Sequence, residues 1–311
     1  MKYHVLIIIL LFFFENLSAQ KIVFTPQWTA QSQFAGYYAA MKLGYYKEEG
    51  LDVEILYPAI SENPYQLLEK GKSDIITLNL DQALVYKAKG GSLLNVMQTS
   101  HLNSFILVSH KPLEGLASLK NKKVAVWNYL NDDMLSLLKN KYSLDVQWIK
   151  FNGGVNIFLS NAVDVCLVSS FNEFNKLKEC GFNVPENNMI KLSSYGYNLP
   201  EEGLYVSGEY YKDNRDNIDK FVKASIRGWL WVRQNKEKAL SLVLDEVKRN
   251  KVASNKYHEG KMLDEILRLQ SYKKGNTLQF KLSANEFENA KKKLFIPGSK
   301  DMLMKYEDFV K

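Results

Sequence analysis

Short apolar runs alternate along the chain with segments whose apolar residues recur at helical spacing. The clearest unit runs from Lys21 to Leu56. An extended apolar run, Lys21 to Thr25, stops at Pro26; a polar stretch and a helical pattern follow, closed by Gly44 and Gly50; Val53 to Leu56 is strand-like again. This strand–loop–helix–strand order predicts parallel strands joined by a right-handed crossover. Ligands of open α/β sheets sit at the carboxyl ends of strands, where the loop after Pro26 must lie. That loop and the first helical turn hold Trp28, Gln31, Gln33, Phe34, Tyr37 and Tyr38, groups suited to a small flat molecule. Core packing is the competing reading for the aromatics.

The alternation continues. Tyr65 to Glu69 reads as a short helix, Asp74 to Leu78 as a strand, and Asp81 to Lys89 as a helix stopped by Gly90-Gly91. Asn79 and Asp81 fall where strand becomes helix, again at the ligand edge; Asp81 either touches ligand or caps its helix. Leu93 to Gln98 and Phe105 to Ser109 are further strands, which brings the first lobe to five or six. Pro112 and Gly115 break the segment from Lys111 to Leu119, which reads as a crossing into a second lobe.

The second lobe opens with a strand, Lys123 to Trp127, and a helix, Asp132 to Lys141. The strand Val146 to Ile149 leads into Phe151-Asn152-Gly153-Gly154-Val155-Asn156 and another helix. Glycines at such a turn either offer backbone N–H groups to an anion or an electron-rich ring atom, or simply make a tight turn. The strand Val163 to Val168 runs into Ser169-Ser170-Phe171-Asn172-Glu173. Ser193 to Tyr197, with Tyr195 at its centre, reads as the return crossing, and Leu204 to Val206 as a strand of the first lobe. Ile218, Phe221, Val222, Ser225, Trp229 and Val232 repeat at helical spacing, so Trp229 reads as packing. Glu237 to Lys248 and Lys261 to Gln270 are further helices covering the first lobe.

Composition narrows the picture. Lys2 followed by ten apolar residues, Val5 to Phe14, and the small pair Ser18-Ala19 reads as a secretory leader cleaved near Ala19, too short to span a bilayer. Roughly 290 mature residues suit two domains. The formal charge is +7, but Lys120, Lys122 and Lys123, like Lys291 to Lys293, sit beside amphipathic periodicity and not among stacking aromatics, which argues against nucleic acid. Cys166 lies mid-strand and Cys180 at the far end of the next helix, beyond disulfide reach, so two free thiols are expected. The four histidines make no metal set, and no cofactor is expected.

The residues from Trp28 to Val53, with Gln-x-Gln-Phe-Ala-Gly-Tyr-Tyr-Ala-Ala and Gly-Tyr-Tyr-Lys-Glu-Glu-Gly-Leu-Asp-Val, resemble the NMT1/THI5-like (SsuA/THI5-like) group of periplasmic binding proteins. The resemblance runs from about Lys21 to about Ala239. It implies an α/β, type II two-lobe clamshell, each lobe a mixed sheet flanked by helices, with two hinge crossings. Residues 1–19 would be the leader, 20–110 and 198–311 the first lobe, and 111–197 the second. Glu173 matches in place and type an acidic residue that grips an aminopyrimidine in that family, where a carboxylate accepts from an exocyclic amine beside a ring nitrogen; a first-turn Glu favoured by the helix dipole is the plainer reading.

The resemblance therefore implies a periplasmic binder that passes a thiamine pyrimidine precursor to an ABC permease. Trp28, Tyr37 and Trp127 would stack, Glu173 would read the amine, and Asn152, Gly153, Gly154 and Asn156 would close the polar end, with Gln33, Asn79, Asp81 and Tyr195 completing the site. Three alternatives stand: a sensing partner of a membrane signalling kinase, a sulfonate or taurine binder, and a thiamine pyrimidine synthase-like enzyme. The synthase branch needs a lysine, histidines and a cysteine cluster; at the aligned positions this chain has Leu78, Gln82 and Gln33, and only two cysteines in all. A non-enzyme is expected.

Overall fold

The computed structural model describes residues 19–59, 62–127, 145–272, 277–295 and 297–311. The apolar run expected to be a leader and the helix expected over Asp132 to Lys141 lie outside the described residues. The strands that build the two lobes are, in chain order, β1 (Gln20–Thr25), β2 (Leu51–Ile55), β3 (Ile75–Asn79), β4 (Leu94–Gln98), β5 (Phe105–Ser109), β6 (Lys123–Trp127), β7 (Gln147–Phe151), β8 (Val165–Ser169), β9 (Met189–Lys191) and β10 (Glu202–Val206). The helices are α1 (Ala35–Lys42), α2 (Tyr45–Glu48), α3 (Pro64–Glu69), α4 (Leu80–Ala88), α5 (Asn156–Leu159), α6 (Glu173–Glu179), α7 (Gly208–Gln234), α8 (Lys236–Arg249), α9 (Lys256–Leu269) and α10 (Ala284–Leu294). Among the described residues no helix is long and apolar enough to cross a membrane.

Two mixed five-stranded sheets result. The first has the order β2-β1-β3-β10-β4, with β1 parallel to β2 and β3 and with β10 antiparallel to β3 and β4. The second has the order β7-β6-β8-β5-β9, with β6 parallel to its neighbours and β5 antiparallel to β8 and β9. Each sheet is covered on both faces, which is why β3, β5 and β8 read as nearly unbroken apolar runs. On one face of the first sheet Phe24, Tyr37, Phe221 and Trp229 form a core under α1, α7, α8 and α9. On the other, Leu84, Tyr205, Phe287 and Phe309 pack α4, α10 and the last residues of the chain.

The pairing of β5 corrects the expected lobe boundary. Phe105 to Ser109 joins the second sheet, between β8 and β9, so the first crossing runs from Thr99 to Ser104 and not from Lys111 to Leu119. Pro112 and Gly115 do interrupt regular structure. Leu113, Leu116 and Leu119, however, are buried with Phe105, Leu107 and Val124, so that segment is a connection inside the second lobe. The return crossing, from Leu192 to Glu201, lies beside the first. Thr99 and Ser100 donate backbone N–H bonds to Glu202 O, Glu201 N donates to Ser100 O, and Asn103 N donates to Asn198 Oδ1.

Local sequence sets where the elements begin. Asn63 caps α3, with Pro64 at its first position and Gln66 returning a bond to Asn63 N. Ser207 caps α7 and Ser283 caps α10, the latter in a capping box with Glu286. Cys166 is buried in β8 while Cys180, just past α6, is exposed, and both thiols are free.

Candidate functional site

Between the lobes lies a cavity of about 240 Å³. The first lobe contributes the loop after β1, the start of α3 and the β3–α4 junction. The second contributes the ends of β6 and β8, the turn after β7, and the first residue of α6. These are carboxyl ends of parallel strands, the edge where side chains on successive turns converge. The cavity has an apolar lining of Trp28, Phe105, Trp127 and Phe171, and a polar one dominated by amides. Its charged lining residues among those described are all acidic: Glu62, Glu173 and Glu201.

Glu173 is buried at the first position of α6. Three groups hold its carboxylate. Ser169 N donates to Oε2 at 3.2 Å, and Asn172 Nδ2 and Trp127 Nε1 donate to Oε1 at 3.2 and 3.4 Å. Trp127 lines the cavity, but its ring is 1% exposed and packs on Phe105 and Phe151. Its contribution is to orient Glu173. Trp28, half-buried in a loop, offers a ring to the cavity, and Gly153 approaches it from the second lobe. A Cβ on Gly153 would lie 3.7 Å from Trp28 Cζ2, and the backbone there has φ +108°.

The first-lobe wall is a relay of amides around Glu202. Gln33 Nε2 and Gln27 Nε2 donate to Glu202 Oε2 at 2.7 and 3.2 Å. Gln27 Nε2 also reaches Asn79 Oδ1 at 3.2 Å, and Gln31 Nε2 donates to Gln33 Oε1 at 2.6 Å. Next to it, Glu201 accepts from Ser104 N and Oγ at 2.6 and 2.9 Å. Burial pushes both carboxyls up to about 8, opposed by these bonds. Both residues are placed by β10, whose antiparallel course begins where β3 ends, with Glu202 opposite Asn79.

Of the residues singled out from sequence, Trp28, Gln33, Asn79, Trp127, Asn152 and Glu173 line this one cavity, and Gly153 abuts it. Five others lie off the lining. Tyr37 is a correction: it is fully buried in the first core, 4.7 Å from the Phe24 ring and edge-on to Trp229 at 5.7 Å, because helical spacing from the loop turns it under the sheet. Tyr195 packs with the second-lobe core beside Gly115, since its crossing turns back toward that lobe. Asn156 is exposed at the start of α5, one turn beyond the glycines. Asp81 is buried in the first turn of α4, where its carboxyl accepts from its own and the Gln82 amide and burial lifts it to about 6; the cap of that helix is Asn79, in a capping box with Gln82. Gly154 has open space around its Cα.

Gln27, Phe105, Phe171, Asn172 and Glu201 line the cavity without having been singled out. Gln27 adjoins Pro26, and Phe171 and Asn172 adjoin Glu173, so extending each motif by one or two residues would have found them. No group of three or more His, Cys, Asp or Glu side chains among the described residues could hold a metal ion.

Comparison with known proteins gives a consistent pattern. A family model described as NMT1/THI5 like matches residues 31–239. The formylaminopyrimidine-binding protein of Halalkalibacterium halodurans is 23% identical over 216 residues, 67% of this chain and 64% of that protein. The chain thus spans less than two thirds of that relative's length. The 4-amino-5-hydroxymethyl-2-methylpyrimidine phosphate synthase THI11 of Saccharomyces cerevisiae is 23% identical over 244 residues, 74% of this chain and 72% of the enzyme. Among solved structures, a Candida albicans protein with the generic periplasmic binding protein fold superimposes with TM-score 0.69 at 13% identity, covering 94% of this chain and 96% of that one. The two mixed sheets and paired crossings are that fold.

Proposed function

The chain belongs to the NMT1/THI5 like family, and from that premise we propose that it is a solute-binding protein for a small aminopyrimidine-like ring. It works outside the cytoplasm, in the periplasm, and passes its ligand to an ABC permease. The observation that carries this reading is the carboxylate of Glu173, buried at the cavity wall and already oriented by Ser169, Asn172 and Trp127. Such a carboxylate accepts from an exocyclic amine and shares a proton with the neighbouring ring nitrogen. Trp28 supplies a face for the ring, and the cavity volume suits a ligand of that size. Closure of the lobes about the two adjacent crossings then traps it, and binding shifts the population toward the closed form.

Two features weigh against the alternatives. The positions that align with the synthase lysine and histidines carry Leu78, Gln82 and Gln33, and all three line this same cavity. None is a nucleophile or a titratable proton carrier, so the chemistry of the synthase has no counterpart at this place. A sulfonate would meet Glu62 and Glu173 with no basic side chain among the described lining residues to offset them.

The test is a thermal-shift screen of the chain from Gln20 with hydroxymethyl- and formylaminopyrimidine, thiamine, taurine and alkylsulfonates. A ligand at a hundred times its Kd adds about 2.7 kcal/mol to stability. Stabilisation by aminopyrimidines that drops at least tenfold in affinity with Glu173→Gln supports the reading. Stabilisation by sulfonates, or an unchanged affinity in Glu173→Gln, overturns it.

A further inference from the structure

Glu202 does not line the cavity, yet it governs the side chains that do. A carboxyl oxygen bearing no proton can only accept hydrogen bonds. Glu202 Oε2 receives two amide nitrogens, those of Gln27 and Gln33. This holds in both protonation states, because two N–H donors aimed at Oε2 leave Oε1, beside the Thr99 hydroxyl, as the place for a proton. The orientation of both glutamines is therefore fixed by chemistry: each turns its NH₂ toward Glu202 and its carbonyl oxygen away. Gln33 Oε1 in turn takes one N–H of Gln31, which fixes the orientation of the Gln31 amide, with its oxygen on the side away from Gln33. Gln27, Gln31 and Gln33 all belong to the cavity wall.

We propose that Glu202 is a specificity-determining residue: it templates the first-lobe wall so that amide oxygens are presented to the ligand, and the site selects molecules that bring N–H or O–H donors to both lobes. This deepens the pyrimidine reading and rests on it, since Glu173 takes the amine on one side while the templated amides take a second donor on the other. For an aminopyrimidine the second donor is the hydroxyl or formylamino group on the ring substituent. An amide wall with free orientation would accept a donor or an acceptor alike; a wall templated by a carboxyl rejects the acceptor by leaving buried oxygens facing each other.

The experiment compares two ligands that differ in that one donor, 4-amino-5-hydroxymethyl-2-methylpyrimidine and 4-amino-2,5-dimethylpyrimidine, by titration calorimetry on the wild type, Glu202→Gln and Glu173→Gln. The wild type prefers the hydroxymethyl compound by roughly tenfold or more, as expected where a site hydrogen-bonds a hydroxyl. In Glu202→Gln, whose side chain has its own NH₂ to place, the preference falls to about twofold. In Glu173→Gln both affinities fall together and the ratio is kept. Equal binding of the two compounds by the wild type, or an unchanged ratio in Glu202→Gln, overturns the inference while leaving the pyrimidine reading in place. If neither compound binds, the pyrimidine reading fails, and a ligand-independent measurement decides the inference. Deuterium exchange of the Gln27 and Gln33 side-chain amides, followed by NMR, is slow in the wild type and at least about tenfold faster in Glu202→Gln if Glu202 holds them. Equal exchange rates overturn the inference.

Discussion

His258 Nδ1 lies 2.8 Å from Glu179 Oε1, so that α9 of the first lobe is tied to the end of α6 in the second. The other ring nitrogen is 3.3 Å from Asn172 Oδ1, and Asn172 in turn holds Glu173. Ser170 adds a parallel tie to Glu265. The bonds that keep the lobes together thus end on the neighbour of the residue proposed to grip the ligand. His258→Ala removes both imidazole contacts. At about 1 kcal/mol for each net hydrogen bond, ligand release should accelerate roughly five- to thirtyfold, measured by stopped flow. An unchanged release rate would show that this tie is not broken on opening.

Gly153 and Gly154 separate backbone strain from contact with the cleft. Both have φ in the left-handed region, at +108° and +87°, so an alanine at either strains the turn by about 1 kcal/mol or more. Only at Gly153 does the added methyl also meet Trp28. Chemical denaturation should therefore show similar destabilisation of Gly153→Ala and Gly154→Ala. Ligand affinity should fall several-fold further in the first, and equal affinities would remove Gly153 from the site.

Stability should fall as pH rises through neutrality. Glu201 and Glu202 titrate near 8 in the folded chain against an ordinary 4.5, because burial disfavours their charge. The folded state then holds protons that the unfolded chain has released between those values, and the slope of unfolding free energy with pH is negative across that window. Each group contributes a loss on the order of 1 kcal/mol per pH unit there. The contribution is complete below pH about 4.5 and gone above about 8. Urea midpoints at pH 5, 7 and 9 measure it, and Glu202→Gln should flatten the profile.

The two thiols should differ sharply. Cys166 is buried in β8, where desolvation raises its pKa far above the usual range, while Cys180 is exposed. A thiol reagent should titrate one cysteine in the native chain and two after unfolding. A native count of zero would indicate a disulfide and contradict the free pair.

Much of this architecture was legible because its periods are local. The strand before Pro26, the helices ended by glycine and the step from β8 into the next helix each follow from residues within a few positions; Trp28, Gln33, Asn79 and Asn152 followed from the strand ends, whereas Glu173 came with the family resemblance. What failed needed partners distant in sequence. Phe105 to Ser109 is an apolar run equally good for either sheet, and only pairing with β8 and β9 assigns it. Tyr37 shares its spacing with ligand-facing aromatics but is turned under the sheet by Phe24 and Trp229. Adjacent carboxylates such as Glu201 and Glu202 ordinarily mark a surface. Their burial follows from the antiparallel return of β10, which begins at the carboxyl edge of the parallel strands and so delivers its first residues into the cleft.

That return has a consequence for the order of assembly. β10 is inserted between β3 and β4, yet more than ninety residues of chain, the whole second sheet, lie between β4 and β10. A nascent chain that has delivered β1 to β4 holds an incomplete sheet with a gap at its penultimate position, and the contact that fills it is among the most non-local in the molecule. Loop closure over such a distance slows folding. The first lobe is therefore the last to be finished although it is the first to be made: its sheet waits for β10, and its two cores wait for α7 to α10 and Phe309.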